Sequence, residues 1–298
     1  MRTNGAVLCI ASAAAFGAMA VFGKLAYDER TTVGTLLAVR FTLAAAHDQQ
    51  QPEQRGGLRE VSGLERRDIR LGLALGAGGY ALQAGCYFAA LDRIDASLLA
   101  LLLYTFPAMV AVVAVAIGRE RFDGRHGIAL VLASGGLVLV VAGAGAGSLD
   151  PLGTVLGLGA AVVYTAYILI SDGIAGRTRP QLLATLVCTG AAVTLVVGSA
   201  VLGELQPGDV TAAGWGWLAC LSVVSTVGAI TLFFAGLERV GPTTAAILAM
   251  VEPLVTVLLA FVVFGERLGT LQLLGGALVL AAVVPAATAA RRVRAVPA

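Results

Sequence analysis

Charge is what this 298-residue chain has least of. Asp, Glu, Lys and Arg make up 13% of it, hydrophobic residues make up 58%, and the mean hydropathy is +0.89. A soluble domain carries about a quarter charged residues, so this composition excludes a water-soluble fold. Lysine is almost missing, Lys24 being the one example. The nearest approach to a phosphate loop, Gly17 to Gly23-Lys24-Leu25, has the wrong spacing and lacks the Ser/Thr that would hold magnesium. ATP is therefore not expected to act through this chain. HExxH, GxSxG and any Cys/His metal cluster are absent from the sequence. No catalytic residue, metal or cofactor is expected, and no nucleic-acid partner. The two histidines, His47 and His126, stand at the ends of apolar runs. Cys9, Cys86, Cys188 and Cys220 lie within apolar runs and form no CxxC, so they read as small buried residues.

What the chain does have is apolar runs of the length a helix needs to cross ~30 Å of hydrocarbon, about twenty residues each. Ten such spans are expected, over 5–22, 31–46, 69–91, 95–117, 127–146, 152–171, 180–202, 214–237, 242–264 and 269–289. The first has a signal-peptide look, with Arg2 before an apolar run and Ala18-Met19-Ala20 after it. It reads as a retained span because the sixth matches it. The second is short and runs directly into His47-Asp48-Gln49-Gln50. Either its helix begins earlier, near Lys24, or the bilayer thins around it. Abundant glycine and alanine fit close helix approach in lipid, as in the GxxxG pairs Gly72/Gly76 and Gly153/Gly157.

Basic residues fix the expected orientation. With an even span count, 15 Lys and Arg fall in segments on the side of the termini and 4 on the other, with Arg40 inside a span. Both termini are expected in the cytoplasm and the chain in the plasma (inner) membrane. Its first partner is the lipid bilayer; the oligomeric state is not readable.

The chain repeats itself. Shifted by 146 residues, Phe88, Leu91 and Arg93 fall on Phe234, Leu237 and Arg239, Pro107 on Pro253, and Glu120-Arg121 on Glu266-Arg267. Shifted by 148, Val7-Leu8 falls on Val155-Leu156 and Phe16 on Tyr164. Five is odd, so a second five-helix unit enters the membrane upside down relative to the first. The expected fold class is an all-α polytopic membrane protein of ten transmembrane helices in two inverted five-helix repeats. In such a plan a substrate site lies near the midplane between the repeats.

With Val39-Arg40-Phe41 in the second span, and a proline followed thirteen residues later by a Glu-Arg pair in each half, the two units resemble EamA-type domains of the drug/metabolite transporter superfamily. The prolines and pairs are Pro107 with Arg119-Glu120-Arg121-Phe122, and Glu252-Pro253 with Gly265-Glu266-Arg267-Leu268. The resemblance covers 6–143 and 152–287, leaving 288–298 as a basic cytoplasmic tail. It implies a central cavity and export of small metabolites or amino acids. It also implies a longer second helix than the apolar run here, which stops at Ala46.

Glu252 and Pro253 are costly residues for the middle of a span and mark a candidate site. Glu252 either takes up a proton or binds a substrate amine, or it bonds backbone that Pro253 leaves unpaired. Arg40 either binds a substrate carboxylate or pairs with Glu252, or is a structural residue that snorkels or binds carbonyls at the outer face. Tyr80, Gln83, Tyr104, Tyr164 and Tyr167 are the other candidate substrate residues, with Ser225 and Thr226 further polar groups inside spans. Pro107 and Pro253 are candidate hinges, or static kinks. Trp215 and Trp217 read as interfacial anchors, and the Glu-Arg pairs as loop anchors at the surface. The function these residues point to is a secondary transporter, an exporter of a small metabolite or amino-acid-like solute working by alternating access, with proton coupling or exchange. The rivals are an intramembrane enzyme, for which acid/base groups at one depth are too few, and a channel or structural membrane protein.

Overall fold

A computed structural model describes residues 2–50, 66–118, 124–143, 150–175, 180–240, 248 and 251–294, and the described residues are helical with short turns between. The order is α1 (Arg2–Gly17), α2 (Met19–Asp28), α3 (Val33–Gln50), α4 (Arg66–Ala74), α5 (Ala81–Leu91), α6 (Ala96–Leu103), α7 (Phe106–Ala116) and α8 (Gly124–Gly143). The second half adds α9 (Pro151–Ala175), α10 (Pro180–Val201), α11 (Ala212–Ser222), α12 (Ala229–Val240), α13 (Val251–Phe264) and α14 (Thr270–Arg294). Among the described residues, three stretches are long and apolar enough to cross a membrane: Gly5–Asp28, Pro151–Ile170 and Ala212–Phe233. Shorter apolar helices cover Val33–Ala46, Thr185–Val201, Val251–Phe264 and Thr270–Ala282. Apolar side chains crowd the outside, with Val131 and Val262 each about 70% exposed. That surface is one for lipid, not water.

Several boundaries differ from the sequence reading. The first helical stretch runs to Asp28 instead of residue 22, with a break at Ala18 between α1 and α2. The second helix neither begins near Lys24 nor stops at Ala46. It starts at Val33, after a turn in which Arg30 has φ 63°, and continues to Gln50. Hydropathy ends at Ala46 because His47-Asp48-Gln49-Gln50 is polar, but nothing in that tetrad breaks a helix. The fourth span bends at Tyr104–Thr105, two residues ahead of Pro107, where α6 gives way to α7. Proline lacks the N–H for a bond to residue i−4 and its ring crowds that carbonyl, here Leu103, where α6 ends, and the Thr105 hydroxyl donates to the Leu102 carbonyl at 2.7 Å at the bend.

Two spans carry a wide π turn. Leu75–Tyr80 separates α4 from α5, and Val223–Gly228 separates α11 from α12, 148 residues on. Each π turn adds one residue to the helix and rotates the helix beyond it, so the two halves share this irregularity at corresponding places.

Close approach of backbones explains several glycines. A Cβ on Gly190 would collide with the Leu73 carbonyl oxygen, and one on Gly76 with that of Val187. Helix α10 thus rests directly on α4 and its π turn. Gly136 and Gly275 face each other in the same way, each with the other's carbonyl within 2.6 Å of a Cβ, where α8 crosses α14. In the GxxxG pairs, Gly153 and Gly157 pack on Ile94 and on Leu99/Leu102, while Gly72 packs on Leu186.

Candidate functional site

Helices from both halves surround a cavity of about 300 Å³. Arg40 of α3, Tyr80 and Gln83 around the start of α5, and Tyr104 at the α6–α7 bend line it from the first half. Tyr164 of α9 and Glu252 of α13 line it from the second. Six of the seven candidate substrate residues are therefore in one place. The seventh, Tyr167, stands behind the lining, its ring 5.5 Å from that of Tyr80 and 6.1 Å from that of Tyr164.

Arg40 is 4% exposed. Its Nε donates to Thr226 Oγ1 at 3.0 Å, and its guanidinium lies 5.1 Å from the Phe41 ring and 5.3 Å from the Phe88 ring. Thr226 passes the contact on, donating to the Leu221 carbonyl at 3.1 Å across the second π turn. An arginine buried this way needs both a hydrogen bond and aromatic faces. It is thus neither snorkelling nor bound to carbonyls at the outer face. The pairing with Glu252 is also absent: the ion pairs among described residues are Lys24–Asp95, Lys24–Glu266 and Arg93–Asp150. A guanidinium and a carboxyl group face one cavity without forming an ion pair.

The Tyr104 and Glu252 side chains face the same cavity. The Glu252 backbone carbonyl accepts from Thr256 Oγ1 at 3.2 Å and sits where a Cβ on Gly17 would be 2.8 Å away. The end of α1 and the start of α13 therefore touch beside the carboxylate, at the helix break of Ala18. Pro253 is buried in α13, behind the cavity lining, and Pro107 lies in the first turn of α7.

Aromatic walls are the part that the sequence did not reveal. The Phe106 ring stands edge-on to Tyr164 at 4.6 Å and to Tyr104 at 5.9 Å, and Tyr87, Phe88 and Phe233 complete the lining. Ser12 donates to the Ala229 carbonyl at 2.6 Å, tying α1 to the residue after the π turn. Phe106 carries one signal, its register with Glu252 in the repeat. The others are ordinary residues of an apolar helix.

One end of the bundle is closed by polar contacts between the halves. Glu266 is 8% exposed and accepts from Lys24 Nζ at 3.0 Å, from the Ala96 and Ser97 backbone N–H groups at 3.1 and 3.0 Å, and from the Ser97 hydroxyl at 2.8 Å. It caps α6 from the other half of the chain, while the N-cap residue Asp95 makes no cap bond of its own and lies 3.7 Å from Lys24. A carboxylate at a helix N-terminus meets unpaired donors and the positive end of the dipole. Burial by itself would raise the Glu266 carboxyl; the Ser97 N–H and hydroxyl and the Lys24 ammonium outweigh it and hold the group below the usual carboxylate value. Gly265, at φ 69°, turns the chain so that Glu266 points back into the bundle. The expectation of a surface Glu266-Arg267 pair is corrected accordingly: the Glu266 side chain is largely buried and its partner is Lys24. Glu120-Arg121 lies outside the described residues. Nearby, Gln206 N–H donates to Thr35 Oγ1 at 2.8 Å, Thr35 Oγ1 donates to the Glu204 carbonyl at 3.1 Å, and the Thr211 hydroxyl donates to Glu29. Below this layer Phe22 stacks on Trp217 at 6.1 Å, so Trp217 is part of the packing between halves.

The family model described as the EamA-like transporter family matches residues 3–142 and again 151–287. The chain belongs to the EamA-like transporter family. Its two EamA-like units are those two matched stretches, and the protein is a multi-pass membrane transporter and not an enzyme. An uncharacterized transporter of Archaeoglobus fulgidus is 31% identical over 210 residues, 68% of this chain and 71% of that protein. The uncharacterized transporters YcbK and YwfM of Bacillus subtilis are 26% and 27% identical, and the match spans 62% of each of them. A solved crystal structure of a protein has the same fold, with a TM-score of 0.63 at 19% identity over 99% of this chain and all of that one.

Proposed function

We propose that this EamA-like transporter exports a small polar or amphipathic metabolite, an amino-acid-like solute among the candidates, from the cytoplasm across the plasma membrane by alternating access. The architecture we infer is ten transmembrane helices in two inverted five-helix repeats, 6–143 and 152–287, with both termini and the basic segment 288–298 cytoplasmic. The observation that carries the reading is the shared cavity, in which Arg40, Tyr80, Gln83 and Tyr104 of one half face Tyr164 and Glu252 of the other. A site built from two halves changes shape when the halves move, which is what alternating access needs. Arg40 offers a fixed cation for an anionic group of the solute, Glu252 a carboxylate for an amine or a proton, and the aromatic walls an apolar enclosure. Tyr167 supports the tyrosine wall from behind. Pro107, at the bend between α6 and α7, and Pro253, at the matching place of the second half, are placed to act as hinges, because a proline lacks the N–H that would tie it to the turn before it.

The test is untargeted profiling of the medium of cells that overproduce the wild-type chain, Glu252→Gln, or an empty vector. The reading predicts one solute class enriched outside wild-type cells, in a saturable way, and depleted by at least about tenfold in the variant, the loss of about 1.4 kcal/mol of coupling or binding. Flux that rises linearly with internal concentration would indicate a channel instead. Unchanged medium with the protein inserted would remove the export reading.

A further inference from the structure

We propose that a second site, a cleft on the flank of the bundle between α3, α5 and α10, binds a zwitterionic aminophospholipid, with its ammonium headgroup held at the closed end. The cleft has a volume of about 760 Å³, larger than the central cavity, and none of its lining residues belongs to that cavity. It opens sideways: Leu82 and Leu202 on its margins are 57% and 78% exposed.

Two of the three walls are graded in the same sense. On the α3 wall, Thr31 and Thr32 at the closed end give way to Val33 and Leu37. On the α5 wall, Asp92 and Arg93 give way to Leu82, Ala81 and Ala77. The α10 wall is mixed, with Leu202 between Glu204 and Ser199 and Thr194 beside Leu195. From Ala77 to Asp92 the wall runs for about 22 Å at ~1.5 Å per residue, more than one leaflet's share of a ~30 Å hydrocarbon core. A polar mouth above a long apolar trough is the profile of an amphiphile lying parallel to the helices. A water-soluble solute has no use for the trough, and water does not fill an apolar groove.

Charge selects the headgroup. Two carboxylates, Asp92 and Glu204, meet one guanidinium, Arg93, and Asp150 is already 3.8 Å from Arg93. The mouth is net negative, which favours a headgroup ending in an ammonium over an anionic one. The arginine remains in place to meet the phosphate between headgroup and glycerol. The Thr31 hydroxyl, at the mouth and buried, has no protein hydrogen-bond partner. The inference needs only that the chain sits in a bilayer; it does not depend on export or on Glu252, so either idea can fail alone.

Glycines make the cleft, and they supply the test. At Gly78 and Gly198 a Cβ would meet nothing within 4 Å. Both line the cleft, so Gly198→Leu fills the trough without a clash in the helix. The experiment is native mass spectrometry of the full-length protein released from detergent, incubated with equimolar phosphatidylethanolamine and phosphatidylglycerol. Wild type is expected to retain phosphatidylethanolamine over phosphatidylglycerol by about two- to fivefold, the range of a partly exposed ion pair. Asp92→Asn with Glu204→Gln is expected to erase that preference. Gly198→Leu, with its thermal midpoint unchanged or raised, is expected to lose the retained lipid. Retention of neither lipid by wild type, a preference for phosphatidylglycerol, or a preference that survives the double variant would overturn the proposal. So would undiminished lipid on a folded Gly198→Leu chain. If that chain does not fold, the carboxylate double variant decides.

Discussion

Two acidic residues divide the chemistry of this chain, and their surroundings assign them different work. Glu252 faces a cavity that it shares with the Tyr104 side chain and the Arg40 guanidinium; Glu266 is held by an ammonium, two backbone N–H groups and a hydroxyl. Glu252 is available for a ligand and Glu266 is not. Replacing Glu266 by Ala strands the first donors of α6 and an ammonium at once. The expected loss is about 1.5–3 kcal/mol, the worth of hydrogen bonds to a charged group, read as a lower thermal midpoint of the purified protein. Lys24→Met should cost less, because the ammonium is 21% exposed and the α6 donors keep their acceptor. The pH dependence has a definite sign. A carboxyl held below its usual value stabilises the folded state at neutral pH and loses that contribution only as pH falls through its lowered value. Between about pH 5 and 8 the thermal midpoints of wild type and Glu266→Gln should therefore run parallel; convergence is expected only in stronger acid, near and below the usual carboxylate pKa of about 4.3. A gap that closed between about pH 6 and 8 would count against the assignment.

At the scale of elements, contact through glycine decides what each helix tolerates. Gly190→Ala drives a methyl into a carbonyl oxygen of α4 and should sharply reduce the yield of folded protein. Gly198→Ala, two turns along the same helix and facing open space, should be neutral or stabilising by up to about 1 kcal/mol through helix propensity. Thermal unfolding of the pair in one detergent separates the two. This scale also shows why the sequence was readable in some elements and not in others. Apolar runs and the offset between halves are one-dimensional patterns, so the helices and the repeat could be found by counting. The bend ahead of Pro107 was legible because proline acts on its own neighbours. The extension of α3 to Gln50 was hidden because hydropathy, not helix propensity, marked its end. The π turns were hidden too: only Gly76, Gly78 and Gly79 hint at the first, and nothing at the second. The burial of Glu266 was hidden for a longer-range reason. Its neighbour in sequence is Arg267, while its partner Lys24 is 242 residues away. Six candidate residues converged on the cavity because polar side chains inside apolar helices are expensive and share a polar place. The phenylalanines around them left no such trace.

At the scale of the whole molecule, the two EamA-like halves meet in three layers. A polar seam of Lys24–Glu266, Glu29–Thr211 and Thr35–Glu204 lies at one end, the aromatic stack of Phe22 on Trp217 lies under it, and the cavity lies below. Under the proposed alternating-access cycle the seam would act as a gate that parts for solute to leave by that end. The most direct test is to stop it from parting. In a background with Cys9, Cys86, Cys188 and Cys220 replaced by Ser or Ala, Glu29→Cys and Thr211→Cys put two thiols at positions whose side chains now touch. Export of the solute class accumulated by wild-type cells would be followed before and after oxidation, and again after reductant. The account predicts normal export with both thiols free, loss of at least about nine-tenths of it when the disulfide forms, since a two-state gate locked shut passes nothing, and recovery on reduction. Export undiminished through a fully formed disulfide would contradict the account, because solute would then be passing without this end ever opening.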